Sequence, residues 1–303
     1  MKRTFLIWMA LVVFFMMTAT TASVVMIMNY YAYNLEMVAL KQEMGYISAA
    51  IDEKQKELLV RAQDWSIWDE SYNFMSKPTG EYINSNLDTN MFRTNKINFI
   101  VFLKNDGQIT FSRGYDYVAG KDIAIPSELA SMLTPRAIKA YASSAGTLNG
   151  IIKAAGGSMI IAVSPIARTN GASDSPGWLI FASYISGNFL GSLDSLKYVK
   201  MEATDISFTQ LAQSASKDIS LKVGASELIV PPSDRGLVEG YLLIRDIFNN
   251  PVMGAKMIFE KNLREYINVM RDRVVVVLVI VTIVLPLCVL LYMNKVLSWY
   301  IGH

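Results

Sequence analysis

Between Ala62 and Met75 the chain reads AQDWSIWDESYNFM, which puts Trp65, Trp68, Asp64, Asp69, Glu70 and Tyr72 into one short window. Of the five tryptophans, Trp8 and Trp299 lie in or beside apolar runs, so this window holds two of the remaining three. On a helix Trp65 and Trp68 are three positions apart, and the pairs Trp65–Asp69 and Trp68–Tyr72 are four apart. Trp65, Trp68, Asp69 and Tyr72 are therefore expected to share one broad helical face. Such a face could wall a pocket, with aromatic planes for stacking or for a cation and a carboxylate to fix a donor. It equally suits tryptophans that anchor a helix to a sheet, with aspartates meeting backbone donors of the next loop. The two readings are compatible.

A second constellation is FSRGY, where Phe111, Arg113 and Tyr115 alternate along a strand and so share one face. Two aromatics and a guanidinium on one side could receive a ligand, although an exposed strand shows the same pattern. Arg93, Arg113 and Arg168 are the candidate partners for an anionic group, with loop solvation the plainer account of Arg168.

Catalysis lacks the residues it needs. The one histidine, His303, is the last residue, which excludes a Ser-His-Asp triad, a Cys-His pair or a histidine-bound zinc in the middle of the chain. No Gly-rich phosphate loop occurs. A carboxylate pair drawn from Asp64, Asp69 and Glu70 is chemically conceivable, but adjacency alone does not make one. No enzyme activity, metal or cofactor is expected. The net charge of +2 and the absence of a basic cluster with interleaved aromatics give no reason to expect nucleic acid.

The elements that must position these groups start from the membrane. Hydrophobic residues make up 52% of the 303, and the mean hydropathy is +0.29. Two uncharged stretches, 5–28 and 274–293, are long enough to cross a hydrocarbon core of roughly 30 Å as helices. The first has a rival reading as a cleaved signal peptide, but its apolar run continues from Val24 to Met28 past the small residues, so an anchor is expected. Lys2 and Arg3 precede it and no basic residue follows until Lys41, which places residues 1–4 in the cytoplasm. Residues 29–273 are then extracytoplasmic, and 294–303 form a cytoplasmic stub. Cys288, the one cysteine, lies in the second span, so the external domain has no disulfide.

From Tyr30 to about Gln63, Leu40, Met44, Ile47, Ile51 and Leu58 recur at helical spacing, which predicts a helix continuing from the first span. Lys54 interrupts the stripe. It is read either as a dimer seam or as a face packed on its own domain. The stretch SKPTGEYINSNLDTNMFRTN shows no periodicity and reads as irregular. INFIVFLKNDGQITFSRGY predicts a hairpin turning at Asp106-Gly107. PSELASMLTPRAIKAYASS predicts helix with Ser127 as a cap, and SMIIAVSPIAR with GWLIFASYIS a longer hairpin. FLGSLDSLKYV predicts a short helix and ATDISFTQLA a strand. SLKVGASELIV is a further strand candidate, and EGYLLIRDIFNNPVMGAKMIFEKN a final hairpin turning at Asn249-Asn250-Pro251, with Asp246 assigned to turn geometry. Leu263, Ile267, Met270 and Val274 carry a helix into the second span. The sum is an α+β domain: a long N-terminal helix on an antiparallel sheet of about five or six strands, held at both ends by membrane helices.

This layout, with DWSIWDESY at 64–72, NFIVFLKNDGQITFS, and the strands IIAVSPIAR and GWLIFASYIS, resembles the fourth type of CHASE domain over about residues 35–260. The resemblance implies an extracytoplasmic sensory module with a PAS-like sheet. It also implies a link through the second span to a cytoplasmic output: a diguanylate cyclase or phosphodiesterase, a histidine kinase, or a chemoreceptor region. Only NKVLSWYIGH follows that span, so a fragment, or a module acting through a partner, is expected. The expected function is a membrane sensor for an unknown small molecule, homodimeric, relaying a helix displacement. The alternative is a membrane-anchored protein–protein interaction module without a small ligand.

Overall fold

The computed structural model describes residues 2–170, 174–185, 199–203, 219–223, 226–230, 239–259 and 261–301. Helix α1 runs unbroken over Lys2–Ser66, 65 residues, and so extends on the order of 100 Å at 1.5 Å per residue. It carries the first apolar stretch at its N-terminal end, and its C-terminal half packs on a sheet. The last helix, α7 (Lys261–Ile301), carries the second. The two run side by side in their apolar parts, where the hydroxyls of Thr21 and Thr282 meet at 2.9 Å.

Short helices α2 (Asp69–Ser76), α3 (Gly80–Asn86) and α4 (Thr89–Asn95) follow α1. Next come β1 (Phe99–Lys104), β2 (Ile109–Asp116), β3 (Lys121–Asp122), α5 (Ser127–Met132) and α6 (Pro135–Tyr141). Strands β4 (Leu148–Ala154), β5 (Gly157–Pro165) and β6 (Gly177–Tyr184) complete an antiparallel six-stranded sheet in the order β3-β2-β1-β6-β5-β4. The β1–β2 hairpin turns at Asp106-Gly107 as expected. Gly107 has φ +91°, and Asp106 Oδ1 accepts from the Gln108 amide at 2.9 Å.

A second antiparallel sheet holds β7 (Val199–Ala203), β8 (Ile219–Val223), β9 (Ser226–Val230), β10 (Glu239–Arg245) and β11 (Pro251–Phe259), in the order β7-β11-β10-β9-β8. The final hairpin thus belongs to this sheet and not to the first. At its turn, Asp246 Oδ1 accepts from the amides of Phe248 and Asn250, at 2.9 and 2.7 Å. The sheets meet where the Ile247 amide donates to the Ile151 carbonyl at 3.1 Å. Gly150 is required there, because a Cβ would collide with the Ile247 side chain.

The architecture is the expected α+β class, a long N-terminal helix on an antiparallel sheet, enlarged by a second sheet. Strand β4 had no expectation attached. Gly150 and the flanking small residues weaken its apolar signal, and pairing with β5 makes it a strand. The aperiodic stretch 76–95 is likewise ordered into α3 and α4, whose two turns are too short to show a period. Their caps are the side chains of Thr79 and Asp88, which accept from the amides of Tyr82 and Met91. Ser127 is the first residue of α5 and not its cap; Pro126 holds that place without a side-chain bond. The expected helix in 189–199 lies outside the described residues apart from Val199, which opens β7. Of the expected strand in 203–212, only Ala203 is described, as the last residue of β7.

The inner strands β1, β6 and β5 are buried on both faces. One face receives α1 to α4 on Ile100, Phe102, Ala162, Leu179 and Phe181, and the other receives α5 and α6 on Val101, Ile161, Val163 and Ile180. Leu40, Met44, Ile47, Ile51 and Leu58 are all buried beneath α1, so this stripe is core. Of the two readings left open for it, the structure therefore takes packing within the domain. Each such side chain contributes about 1.5 to 3 kcal/mol through burial. Ile47→Ala should lower the unfolding free energy by about 2 to 5 kcal/mol, whereas Lys56→Ala, on the exposed side, should change it by less than about 0.5 kcal/mol. Urea denaturation of the two variants checks this; equal losses would remove the stripe from the core.

Candidate functional site

The opening motif does not lie on one helix. Helix α1 ends at Ser66, and Ile67 forms a parallel bridge with Ala167 beyond β5. Trp68 takes extended backbone, φ −146° and ψ 131°, as the residue before α2. Three polar contacts enforce this break. Ser66 Oγ donates to Ser164 Oγ at 2.8 Å in the interior, the Ala167 amide donates to the Ser66 carbonyl at 3.0 Å, and the Thr169 amide donates to Asp69 Oδ1 at 3.1 Å. A continuous helix would draw the Ser66 carbonyl into an intrahelical bond and leave the bridging Ala167 amide without its partner. The shared-face expectation for Trp65, Trp68, Asp69 and Tyr72 is therefore corrected: tertiary contacts place them, not helical spacing.

The resulting geometry divides the motif in two. Trp65 and Trp68 meet edge to face, with centroids 6.0 Å apart at 82°; Trp65 leans on Phe181 of β6, and Trp68 on Tyr82 of α3 at 6.4 Å. Asp69 and Tyr72 face the loop between β5 and β6. There the Arg168 guanidinium sits 4.1 Å from the centre of the Tyr72 ring, and the Tyr72 hydroxyl donates to Asp174 Oδ2 at 2.6 Å. Arg168, Tyr72 and Asp174 thus form a clasp that ties α2 to that loop.

The clasp has a protonation signature. The hydrogen bond from Tyr72 holds the Asp174 carboxyl below its usual 3.8, with Arg168 adding to the effect. The same bond pushes the Tyr72 phenol above 10.0, while Arg168 pulls weakly the other way. Asp174 therefore contributes stability above its unfolded-state value, lost as pH falls through the lowered folded value. Tyr72 contributes below 10.0, lost as pH rises through its raised value.

Phe111, Arg113 and Tyr115 do share a face of β2, the one packed beneath α2, α3 and α4. Phe111 meets Phe74 and Phe102 edge to face, at 6.0 and 6.4 Å. Arg113 pairs with Asp122 at 3.0 Å and donates to the Leu87 carbonyl at 2.9 Å. Tyr115 is buried, and its hydroxyl accepts from Arg93 at 3.2 Å. The structure thus brings these three residues to the underside of the short helices, apart from the clasp. Sequence reasoning missed Tyr82, Asp174 and Thr169; Thr79 before α3 was the available signal for Tyr82.

Between α2 and α3 lies an open cleft of about 370 Å³. Glu70, Asn73, Lys77 and Glu81 stand around it, over a floor made by Phe74 and Tyr82, whose rings stack 4.4 Å apart at 24°. Tyr82 is buried, its hydroxyl meets Ser71 Oγ at 2.7 Å, and burial raises its phenol above the ordinary value. The cleft adjoins the motif through Glu70 and through Trp68 against Tyr82. It can seat a small polar molecule, with carboxylates for an amino group, an ammonium for an acid, and aromatic faces below.

Comparison with known proteins gives a consistent set of matches. The family model described as the CHASE4 domain matches residues 50–204. The methanogenesis regulatory histidine kinase FilI of Methanothrix harundinacea (strain 6Ac) is 19% identical over 223 residues, which cover 73% of this chain and 24% of that kinase. The chain therefore spans about a quarter of that relative's length. Among solved structures, the ligand-binding domain of the Pseudomonas fluorescens chemoreceptor CtaA in complex with L-leucine is 15% identical. Its TM-score is 0.43, and the match covers 77% of this chain and 98% of that one. The sensor domain of the V. cholerae histidine kinase DctB is 10% identical, with a TM-score of 0.39 and coverage of 77% and 98%.

The clasp predicts a titration change. In Tyr72→Phe the Asp174 carboxyl should titrate at higher pH than in the wild type, followed by carboxyl-carbon NMR, with the fold retained. An unmoved titration would show that the phenol does not hold that carboxylate.

Proposed function

The chain belongs to the CHASE4 domain family, and from that premise we propose that it is a membrane-anchored extracytoplasmic sensor for a small molecule. The ligand seats in the α2–α3 cleft and biases the position of α1. One observation carries this reading: α1 runs without interruption from the apolar stretch to Ser66, where the motif pins it to β5 and begins the cleft-bearing helices. A ligand that favours one placement of α2 over another acts on the end of a rigid rod. A coupling of about 1 to 3 kcal/mol suffices for a useful signal.

In this reading residues 5–28 and 274–293 are the spans, residues 29–273 lie outside the cytoplasm, and the cytoplasmic membrane is the location, on the strength of Lys2 and Arg3 before the first span. The destination of the signal is a histidine-kinase type of output, as in the relative FilI, and the domain itself performs no catalysis. Trp65, Trp68, Asp69 and Tyr72 hold the wall beside the cleft, and Phe111, Arg113 and Tyr115 support the helices from below. Pairing of two copies along α1 uses the side opposite the core, where Leu35, Val38 and Tyr46 are exposed. The acidic residues at the cleft suit a ligand with an amino group.

The test is a thermal-shift screen of the full chain in detergent against amine-bearing metabolites, repeated on the double variant Glu70→Gln with Glu81→Gln. Both positions are exposed, so the variant should melt within about 1 °C of the wild type and lose the shift of any hit. Hits that persist in the variant, or none at all, would move protein partners ahead of small molecules.

A further inference from the structure

A second cleft, of about 220 Å³, lies along α1, between that helix and the ends of β2 and β6. Its charged residues are Lys54, Glu57 and Arg61 from two turns of α1, and Lys96 from the end of α4. Three bases face one acid. Glu57 is already engaged, with Lys54 at 2.9 Å and Arg61 at 3.8 Å, and Arg61 also donates to the Asn95 carbonyl at 2.8 Å. The Lys96 ammonium makes no hydrogen bond or ion pair among the described residues; the Glu57 carboxyl is held below its ordinary value first by the hydrogen bond from Lys54, with the charges of Lys54, Arg61 and Lys96 adding to it. Apolar groups close the bottom: Leu58 and Ile160 are buried, and Ile185 is half-buried.

The backbone at Lys96 gives an independent sign. It takes the left-handed conformation, φ 53° and ψ 44°, as the C-cap of α4, where its amide donates to the carbonyls of Phe92 and Arg93. Glycine is the ordinary residue at a left-handed helix end, because a Cβ is disfavoured there. A lysine at this position works against the local backbone and points to a use for its side chain. The position is also held from the other side, since Ser183 Oγ donates to the Lys96 carbonyl at 2.9 Å.

We propose that this basic cleft is a binding site for a small oxyanion, a carboxylate or phosphate group, held by Lys96 and Lys54 with Arg61 behind them. An occupant there touches α1 on one side and the β2 and β6 ends on the other, so it ties the membrane-bound helix to the sheet. That makes it a second input on the same rod, separate from the α2–α3 cleft and independent of what binds there. A compact anion suits the cleft better than an extended one, given its volume and its single apolar wall.

The experiment uses the full chain in detergent, with sodium phosphate and sodium succinate as probes, each compared with sodium chloride at equal ionic strength. At saturation one or both should raise the melting temperature by about 3 °C, and the arm that responds separates phosphate from carboxylate recognition. Lys96→Gly relieves the left-handed backbone, so without probe it should melt within about 1 °C of the wild type, and it should lose the shift. Lys54→Gln should weaken the shift as well, and Glu57→Gln, which removes the competing carboxylate, should let it appear at lower probe concentration. The proposal is overturned if neither probe shifts the wild type, or if the shift survives both lysine replacements. Were Lys96→Gly to fold poorly, the opposite responses of Lys54→Gln and Glu57→Gln would still decide the matter.

Discussion

Everything in this molecule depends on α1 remaining one helix from the apolar stretch to Ser66. Backbone hydrogen bonding is satisfied internally along a helix, in hydrocarbon and in water alike, so one element can pass from one medium to the other without a joint. About 38 residues separate the end of the apolar stretch from Ser66, roughly 55 Å of rod at helical rise. Over much of that distance Leu40, Met44, Ile47, Ile51 and Leu58 are buried against the domain, so the sheet cannot shift along the helix without opening its own core.

The rod needs a defined end, and the motif supplies it. Ser66 reaches a buried serine of β5, Ile67 bridges to Ala167, and Trp68 turns the chain so that α2 starts on a new axis. The two tryptophans fill the angle between the helices and β6, and the Arg168–Tyr72–Asp174 clasp closes the outside. Burial and polar pairing thus cooperate at one corner. A sensory role and an anchoring role do not compete here, because the residues that anchor the corner also set the position of the cleft beside it.

The two clefts are lined by different elements and differ in charge. The α2–α3 cleft is bordered by two short helices that are held to the core through Phe74, Met75 and Tyr82. The basic cleft is bordered by α1 itself and by the ends of β2 and β6.

Sequence alone determined the features that repeat over many residues: the apolar stretches, the stripe under α1, the β1–β2 and β5–β6 hairpins, and the turn at Asp106-Gly107. These follow from periodicity and turn chemistry, which are local, and the family resemblance followed from the same segments. Tertiary structure decided the rest. The helix break at Ile67 depends on Ser164 and Ala167, about a hundred residues away, and helical spacing within 62–75 carries no trace of them. The separation of the final hairpin into its own sheet depends on which strands pair across long connections. Strand β4 and helices α3 and α4 are too short or too rich in small and polar residues to show a period, and they form because caps and neighbouring strands complete their hydrogen bonds. The arrangement of Lys54, Arg61 and Lys96 around one cleft is likewise a product of packing, since α4 meets α1 only once both lie on the sheet.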